Sequence, residues 1–398
     1  MRCAAFLSLI ATASAARPFL DVADTGLQDY LTGTANWTEG TLPNLQDMRA
    51  IPDFEFAAKQ VLEDEGWSFY RLAAGQEWSY RNNLDVWQKV QFRPRFLRNV
   101  VNLENNLSIE MFGYNFSAPF FIAPAARAAW GDPERAELNF MEAAGDENLL
   151  YNAALFASKT IEELDAVKRN DTWNGRQVVF QQIYTNNNLS ITWSDLDRAE
   201  RTGAKAIVLT IDTPGSSVRV RGARHSGQDY ASASTRPNTW DIFNEVKART
   251  SLPVILKGIQ TAEDAIEAVK RGADGLYISN HGGRQLEYAP SPIETAYEIY
   301  RNAPYIFKKV PVLADSGVRS GSDVLKLLAL GVKAVGMGRP FMFANVYGYE
   351  GIRKAINLMK NEIIQDGWNL GIGSLDDLEP KLLNLNTLAQ NVNILKKD

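Results

Sequence analysis

Residues 275–285 read GLYISNHGGRQ: a short apolar run, then a glycine-punctuated polar turn holding one of only two histidines in the 398-residue chain. Such a run, ended abruptly by polar residues and paired glycines, describes a buried strand running into a loop. The same shape recurs on both sides. LPVILKG begins at Leu252, VPVLADSG at Val310 and AVGMGRP at Ala334. Upstream stand PFFIAP from Pro119, NLLYNAAL from Asn148, QVVFQQIY from Gln177 and KAIVLTID from Lys205, which with GLYISN makes eight runs. Between them lie amphipathic segments. Ala262–Arg271 and Gly321–Leu330 predict helices, the second with Ser322 and Asp323 capping and acidifying its start.

Eight strand–helix units predict an α/β fold, the TIM (β/α)8 barrel, with its core over residues 117–350. A doubly wound open sheet would show a glycine-rich phosphate loop in its first turn. Here that turn reads Pro124-Ala125-Ala126-Arg127. Helical spacing between Met48 and Gln91 (Phe56, Val61, Leu62; then Leu84, Val86, Trp87) predicts an N-terminal helical segment, and further helices follow the barrel. Residues 16–44 are polar and read as an extended arm; the folded domain is expected over 45–395.

A net charge of -5, with lysine and arginine dispersed, argues against nucleic-acid binding. No metal site is expected. The first 15 residues, MRCAAFLSLIATASA, combine an arginine, an apolar run too short for a membrane span and the small-residue sequence Ala13-Ser14-Ala15, as in a cleaved signal peptide. No later stretch predicts a membrane span. The only cysteine, Cys3, lies in that leader, so the mature chain is expected to fold without disulfides. Glycosylation sequons begin at Asn36, Asn106, Asn115, Asn170 and Asn188. Together these predict a glycoprotein that is secreted or held in the secretory-pathway lumen.

Barrel active sites are built at the C-terminal ends of the strands. Gln182 and Tyr184 follow the third run, Thr210 and Asp212 the fourth, and Lys257 the fifth. Ser279, His281 and Arg284 follow the sixth, Asp315, Gly317 and Arg319 the seventh, and Gly338 and Arg339 the eighth. A histidine titrating near neutral pH suits a general base. Each residue also has a plainer reading: a loop histidine, a helix cap at Asp212, a surface ion pair at Arg284, a core tyrosine at Tyr184, a solvated lysine at Lys257.

SNHGGRQ (279–285), LKGI (256–259), ADSGVRSGSDVLKLLALG (314–331) and GMGRP (336–340) resemble the FMN-dependent 2-hydroxy acid oxidase and dehydrogenase family. FRPR (92–95), IAP (122–124) and LTIDTP (209–214) extend the resemblance over about residues 45–390. It implies FMN as cofactor and oxidation of a small-molecule 2-hydroxy acid to a 2-oxo acid. It makes His281 the base, Asp212 its hydrogen-bonding partner, Arg284 the carboxylate grip and Tyr184 a substrate contact, with Arg219 nearby. Lys257 would face the flavin N1–O2 edge. Ala125, Gln182, Thr210 and Ser279 would contact the isoalloxazine and ribityl chain, and Asp315 the ribityl chain. Gly317, Arg319, Gly338 and Arg339 would form the phosphate site. The resemblance also implies a homo-oligomer. Without a haem-binding segment ahead of the barrel, a built-in cytochrome acceptor is not expected; the expected acceptor is oxygen, giving hydrogen peroxide, with another separate electron acceptor as the alternative.

The sequence departs from the family pattern in places. Phe69, beside Tyr70, stands where a tyrosine usually joins the arginine at the substrate carboxylate. Phe156 and Ala154 replace a tryptophan and a serine, and Asp132-Pro133-Glu134-Arg135-Ala136-Glu137 replaces His-Pro-x-Gly-Glu. The loop Val220–Thr239 is short, with His225 read as solvated. These departures predict a more open site, with Phe69 and Phe156 as substrate contacts and a substrate either bulkier than glycolate or lactate or anchored by only part of the usual carboxylate clamp. Two alternatives stand beside this reading: a tailoring oxidase acting on a bulkier alcohol, and a glycosylated barrel that binds without catalysis. Retention of Asp212, Lys257, His281 and Arg284 together argues against the last.

Overall fold

The structure is a computed structural model that describes residues 24–33, 37–226 and 235–395. The leader, the sequon at Asn36 and part of the loop 220–239 lie outside the described residues. Eight parallel strands close into a barrel: β1 (Phe120–Ile122), β2 (Leu150–Ala153), β3 (Val179–Ile183), β4 (Ala206–Thr210), β5 (Val254–Ile259), β6 (Gly275–Ile278), β7 (Val312–Ala314) and β8 (Ala334–Met337). Each apolar run is one strand, and β8 returns to β1 with Val335 opposite Phe120 and Met337 opposite Ile122. Every residue of these strands is buried, with the barrel interior on one face and helices on the other, so the runs show continuous hydrophobicity instead of alternation.

The interior is filled by Phe121, Phe180, Val208, Ile255, Tyr277 and Leu313. At the N-terminal mouth, the hairpin Ile109–Met111/Tyr114–Phe116 brings Phe112 and Phe116 edge-on to Phe180, at 5.8 and 6.4 Å between ring centroids. Side chains on a strand return to one face every second residue. Two residues beyond this apolar layer, toward the C-terminal end, the inward positions are therefore Ala123, Gln182, Thr210, Lys257, Ser279 and Asp315. The strand pleat that builds the core also aims a polar ring at the opposite mouth.

The N-terminal helices Ile51–Val61, Asp64–Arg71 and Trp78–Asp85 run up to that polar mouth. Trp78–Asp85 lies against the loops after β6 and β7. A Cβ on Gly283 would sit 2.6 Å from the Tyr80 nitrogen, and one on Gly317 2.1 Å from the Asn83 carbonyl. Both glycines have positive φ, 74° and 85°, a conformation costly for residues with a side chain. Asn83 and Asn280 exchange side-chain hydrogen bonds of 2.9 and 2.8 Å, locking this helix to the turn that carries His281. The long helix Gly348–Leu370 packs on Leu138–Asp146 and Gly321–Ala329 and also touches Ile51–Val61.

Two local expectations are corrected. The cap of Gly321–Ala329 is Ser320, which accepts from the Asp323 amide, while the Asp323 carboxylate accepts from the amides of Arg319 and Ser320. Ser322 instead donates to Asp366 on Gly348–Leu370. The arm is not wholly extended either: Leu27–Gly33 is a helix because Leu27 and Leu31, four residues apart, bury one face in the core.

Candidate active site

A cavity of about 730 Å³ opens at the C-terminal ends of the strands. His281 follows β6 on a turn whose backbone is left-handed, φ 59°, an uncommon state for a residue with a side chain and one that clusters at functional sites. Its Nδ1 lies 3.1 and 3.2 Å from the two carboxylate oxygens of Asp212, which follows β4. A carboxylate only accepts, so Nδ1 carries the hydrogen and Nε2 presents a lone pair. That Nε2 is 3.5 Å from the Tyr184 hydroxyl. Burial holds the imidazole below its ordinary pKa, against the pull of Asp212. Burial also opposes the charge on Asp212, but His281 and Lys257 outweigh it and keep the carboxyl below its usual range. The resting pair is thus a neutral imidazole on an anionic carboxylate.

Lys257 Nζ donates to Ser279 Oγ at 3.0 Å and lies 3.7 Å from Asp315. Burial disfavours the ammonium, yet Asp315 and Asp212 together hold it above its ordinary value, so Lys257 is a fixed cation beneath the cavity. Gln182 donates to Thr210 Oγ1 at 2.8 Å and accepts from the Leu155 amide at 3.1 Å. Ser316 bonds both Asp315 and the Gly282 amide, tying the β7 turn to the histidine turn.

Arg284 Nη1 donates to the Phe69 carbonyl at 2.8 Å, and its guanidinium lies over the Phe69 ring, 5.0 Å from the centroid. Tyr70 is buried with its hydroxyl donating to the Arg127 carbonyl at 2.8 Å. Arg284 therefore faces a ring without a hydroxyl. Arg219 braces the same corner, reaching Ser217, the Arg284 carbonyl and Gln285. Phe156 stacks on Tyr184 at 5.2 Å and 21° between planes, and Arg236 lies 4.9 Å from the Tyr184 centroid.

Of the residues singled out from sequence, Phe69, Ala125, Phe156, Gln182, Tyr184, Arg219, Lys257, His281 and Arg284 line the cavity. So do Asp315, Gly317, Arg319, Gly338 and Arg339. Asp212, Thr210 and Ser279 do not. Thr210 and Ser279 point inward with the polar ring at the mouth but are covered, 1% and 0% exposed, by the side chains they bond, Gln182 and Lys257. Arg339 lines the cavity but donates from Nε, Nη1 and Nη2 to the carbonyls of Tyr70, Gly282 and Leu72. Its side chain clasps the N-terminal helix to the barrel. The Cβ direction of Gly317 is filled by Asn83, whereas a Cβ on Gly338 would meet only Ala125, at 3.9 Å. Of the two glycines, Gly338 is thus the one whose Cβ direction opens onto the cavity. His225 is exposed in the helix Val220–Ser226 and stands outside the cavity wall. Sequence reasoning passed over Arg127 and Arg236, which both line the cavity. The one signal for Arg127 was its place in the turn after the first strand.

The sequence profile of a family described as FMN-dependent dehydrogenase matches residues 58–233 and 221–385. The chain is 32% identical over 377 residues to the L-lactate dehydrogenase (cytochrome) of Saccharomyces cerevisiae, which covers 87% of this chain but 62% of the yeast enzyme's length. It is 34% identical over 354 residues to a peroxisomal (S)-2-hydroxyacid oxidase of Arabidopsis thaliana, covering 82% of this chain and 94% of that enzyme. The flavin-binding domain of baker's yeast flavocytochrome b2 superposes with a TM-score of 0.82 at 33% identity, covering 90% of this chain and 91% of that one.

Proposed function

The chain belongs to the FMN-dependent dehydrogenase family, and on that premise we propose that it oxidises a 2-hydroxy acid to the 2-oxo acid. The observation that carries this reading is the His281–Asp212 pair, whose free Nε2 faces the same cavity as Arg284 and Lys257.

The residues present fit FMN. Arg319 lines the cavity with its Nε 3.5 Å from the Glu55 carboxylate, and its buried Nη2 has no hydrogen-bond partner among the described residues, as a donor awaiting an anion would. Gly338 opens onto the same space. Arg319 and the backbone around Gly338 would hold the phosphate, and Gln182 and Lys257 would face the ring system. Bound FMN supplies a two-electron acceptor for the substrate α-carbon. Lys257, a cation fixed in a buried site, favours the negative charge that accompanies reduction.

Arg284 grips the substrate carboxylate, its planar fork matching the two oxygens. This places the α-carbon beside His281. Nε2 takes one proton from the substrate, and the imidazolium so formed is stabilised by Asp212 across the 3.1 Å contact. Tyr184, whose phenol burial keeps protonated, offers a hydrogen bond at 3.5 Å from Nε2. Phe69, Phe156 and the stacked Tyr184 ring supply apolar walls, which supports a substrate with an apolar portion larger than that of glycolate or lactate.

The acceptor in this reading is molecular oxygen, giving hydrogen peroxide; the match over 94% of the plant oxidase supports it. The route is secretory. The leader supports this, as does solvent exposure of all four described sequon asparagines, Asn106, Asn115, Asn170 and Asn188. Exposed Phe96, Leu97 and Val101 on one segment support self-association.

The deciding experiment records the visible flavin spectrum anaerobically against 2-hydroxy acids of increasing size. Bleaching by one of them supports the function and sizes the substrate. A yellow protein bleached by none sinks it. Peroxide yield in air and an endoglycosidase mobility shift test the acceptor and the route.

A further inference from the structure

We propose that the substrate of this site is a 2-hydroxy acid bearing a second anionic group, and that Arg127 is the residue that receives it. The inference rests on the 2-hydroxy acid reading above and adds the substrate's charge.

Two guanidiniums pack near the Phe69 ring. Arg284 and Arg127 each stand 5.0 Å from the Phe69 ring centroid, so their guanidinium carbons are at most about 10 Å apart. Both line the same cavity. A carboxylate held on Arg284 thus leaves a second cation within reach along the edge of an apolar ring. No hydroxyl competes on that path, because the neighbouring Tyr70 hydroxyl is bonded to the Arg127 carbonyl.

Arg127 is held at its backbone and free at its tip. Its φ and ψ, 66° and 46°, are left-handed. The Tyr70 bond to its carbonyl and the bond from the Ala128 amide to Glu137, at 2.8 Å each, fix that turn. Among the described residues its guanidinium makes no hydrogen bond or ion pair, only the contact with Phe69, and it is exposed at the cavity mouth. A strained turn that presents an unpaired cation to a cavity is a feature of a binding site more than of a solvated surface.

The charge inventory points the same way. Around the Phe69 and Tyr184 rings the cavity wall carries Arg127, Arg219, Arg236 and Arg284, while the two carboxylates on that wall are Asp315, beside Lys257, and Glu65, exposed at the rim; Asp212, paired with His281, lies behind it. One substrate carboxylate neutralises one of four guanidiniums. Arg284 is pushed well below its ordinary pKa first by burial and then by Arg219 and Arg339, with Arg127 adding to the repulsion. A dianion relieves this repulsion where a monoanion leaves most of it.

The test uses matched pairs on the flavin-loaded protein: (S)-malate against (S)-2-hydroxybutyrate, and (S)-2-hydroxyglutarate against (S)-2-hydroxyvalerate. Each pair differs by a terminal carboxylate against a methyl. The expected result is anaerobic flavin reduction at least about tenfold more efficient for one diacid than for its monoacid partner, a typical return for one charge-assisted contact. Arg127→Met should bring that ratio close to one, and Arg127→Lys should retain part of it. Succinate, which has no hydroxyl to oxidise, should perturb the oxidised flavin spectrum more strongly than butyrate, and less so in Arg127→Met. Should monoacids reduce the flavin as well as their diacid partners, the inference is overturned and the 2-hydroxy acid function stands. Equal ratios in wild type and Arg127→Met would overturn the role of Arg127. If neither series reduces a bound flavin but a larger monoanionic 2-hydroxy acid does, the inference is overturned and the 2-hydroxy acid function stands; if no 2-hydroxy acid of any size does, the functional reading itself falls, and this inference with it.

Discussion

Replacing Asp212 by asparagine keeps the shape of the site and removes the charge that the mechanism draws on. In the wild type the Asp212 oxygens lie 3.1 and 3.2 Å from His281 Nδ1, and the carboxylate side chain is 2% exposed. The pair matters most when His281 has taken the substrate proton. A charge-assisted hydrogen bond contributes about 2 kcal/mol net. A Coulomb interaction across about 3.1 Å, at an effective dielectric constant of about 20, sets an upper limit of roughly 5 kcal/mol. These limits correspond to slowing of about 30-fold to about 5,000-fold. Asparagine can also donate to Nδ1, which would favour the tautomer with its hydrogen on Nε2 and remove the base. The assay is anaerobic stopped-flow reduction of bound flavin by the best substrate, with flavin occupancy matched between proteins. The pH profile adds a second readout. Neutral His281 is the active form, and burial holds its pKa below the ordinary value while Asp212 raises it. The wild-type acid limb should therefore lie below about pH 6.5. Any residual activity of Asp212→Asn should show that limb moved to lower pH. A variant within threefold of wild type, with the acid limb unmoved, would refute the assignment of His281 and Asp212 as a catalytic pair.

Lys257→Met removes the fixed cation beneath the cavity, and the two-electron midpoint potential of the bound flavin should fall by about 30–60 mV, or about 1.4–2.8 kcal/mol; an unchanged potential in a spectroelectrochemical titration would detach Lys257 from the flavin. Glu362 is pushed up from 4.5 to about 7, first by burial. Its folded pKa is thus above its unfolded one, so its contribution to stability is full below about pH 4.5 and lost as pH rises through about 7. Glu362→Gln keeps an acceptor for the Gly321 amide, which Glu362 binds at 2.8 Å, and should stabilise the protein at pH 8 by about 1–2 kcal/mol but not at pH 4; equal effects at both pH values in thermal melts would contradict this. Gly283→Ala forces a side chain onto φ 74° and a Cβ to 2.6 Å from the Tyr80 nitrogen, and should cost at least about 2 kcal/mol in denaturant unfolding; a cost under about 0.5 kcal/mol would mean the helix Trp78–Asp85 yields easily.

The amino-acid sequence determined the barrel and the rim by itself. Strands buried on both faces must be continuous apolar runs, and eight of them separated by helical segments leave few ways to close a sheet. Because the pleat repeats every second residue, the polar residue ending each run is the next inward position after the core layer. Lys257, Gln182 and Asp315 could therefore be placed at the mouth from the linear order alone. Folding decided the rest, because the partners are distant along the chain and meet only when the barrel closes. Asp212 and His281 are 69 residues apart. Whether Phe69 or Tyr70 faces the site depends on how the helix Asp64–Arg71 docks, which buries Tyr70 against Phe343 and leaves Phe69 beside two arginines. Arg339 looked like a phosphate ligand in the sequence, but three backbone carbonyls claim its guanidinium. Arg127 carried almost no signal, since an arginine after two alanines becomes distinctive only when a left-handed turn presents it, unpaired, to the cavity. Local periodicity fixes which face a side chain takes; its partners are fixed by which strand ends and helices the closed barrel brings together.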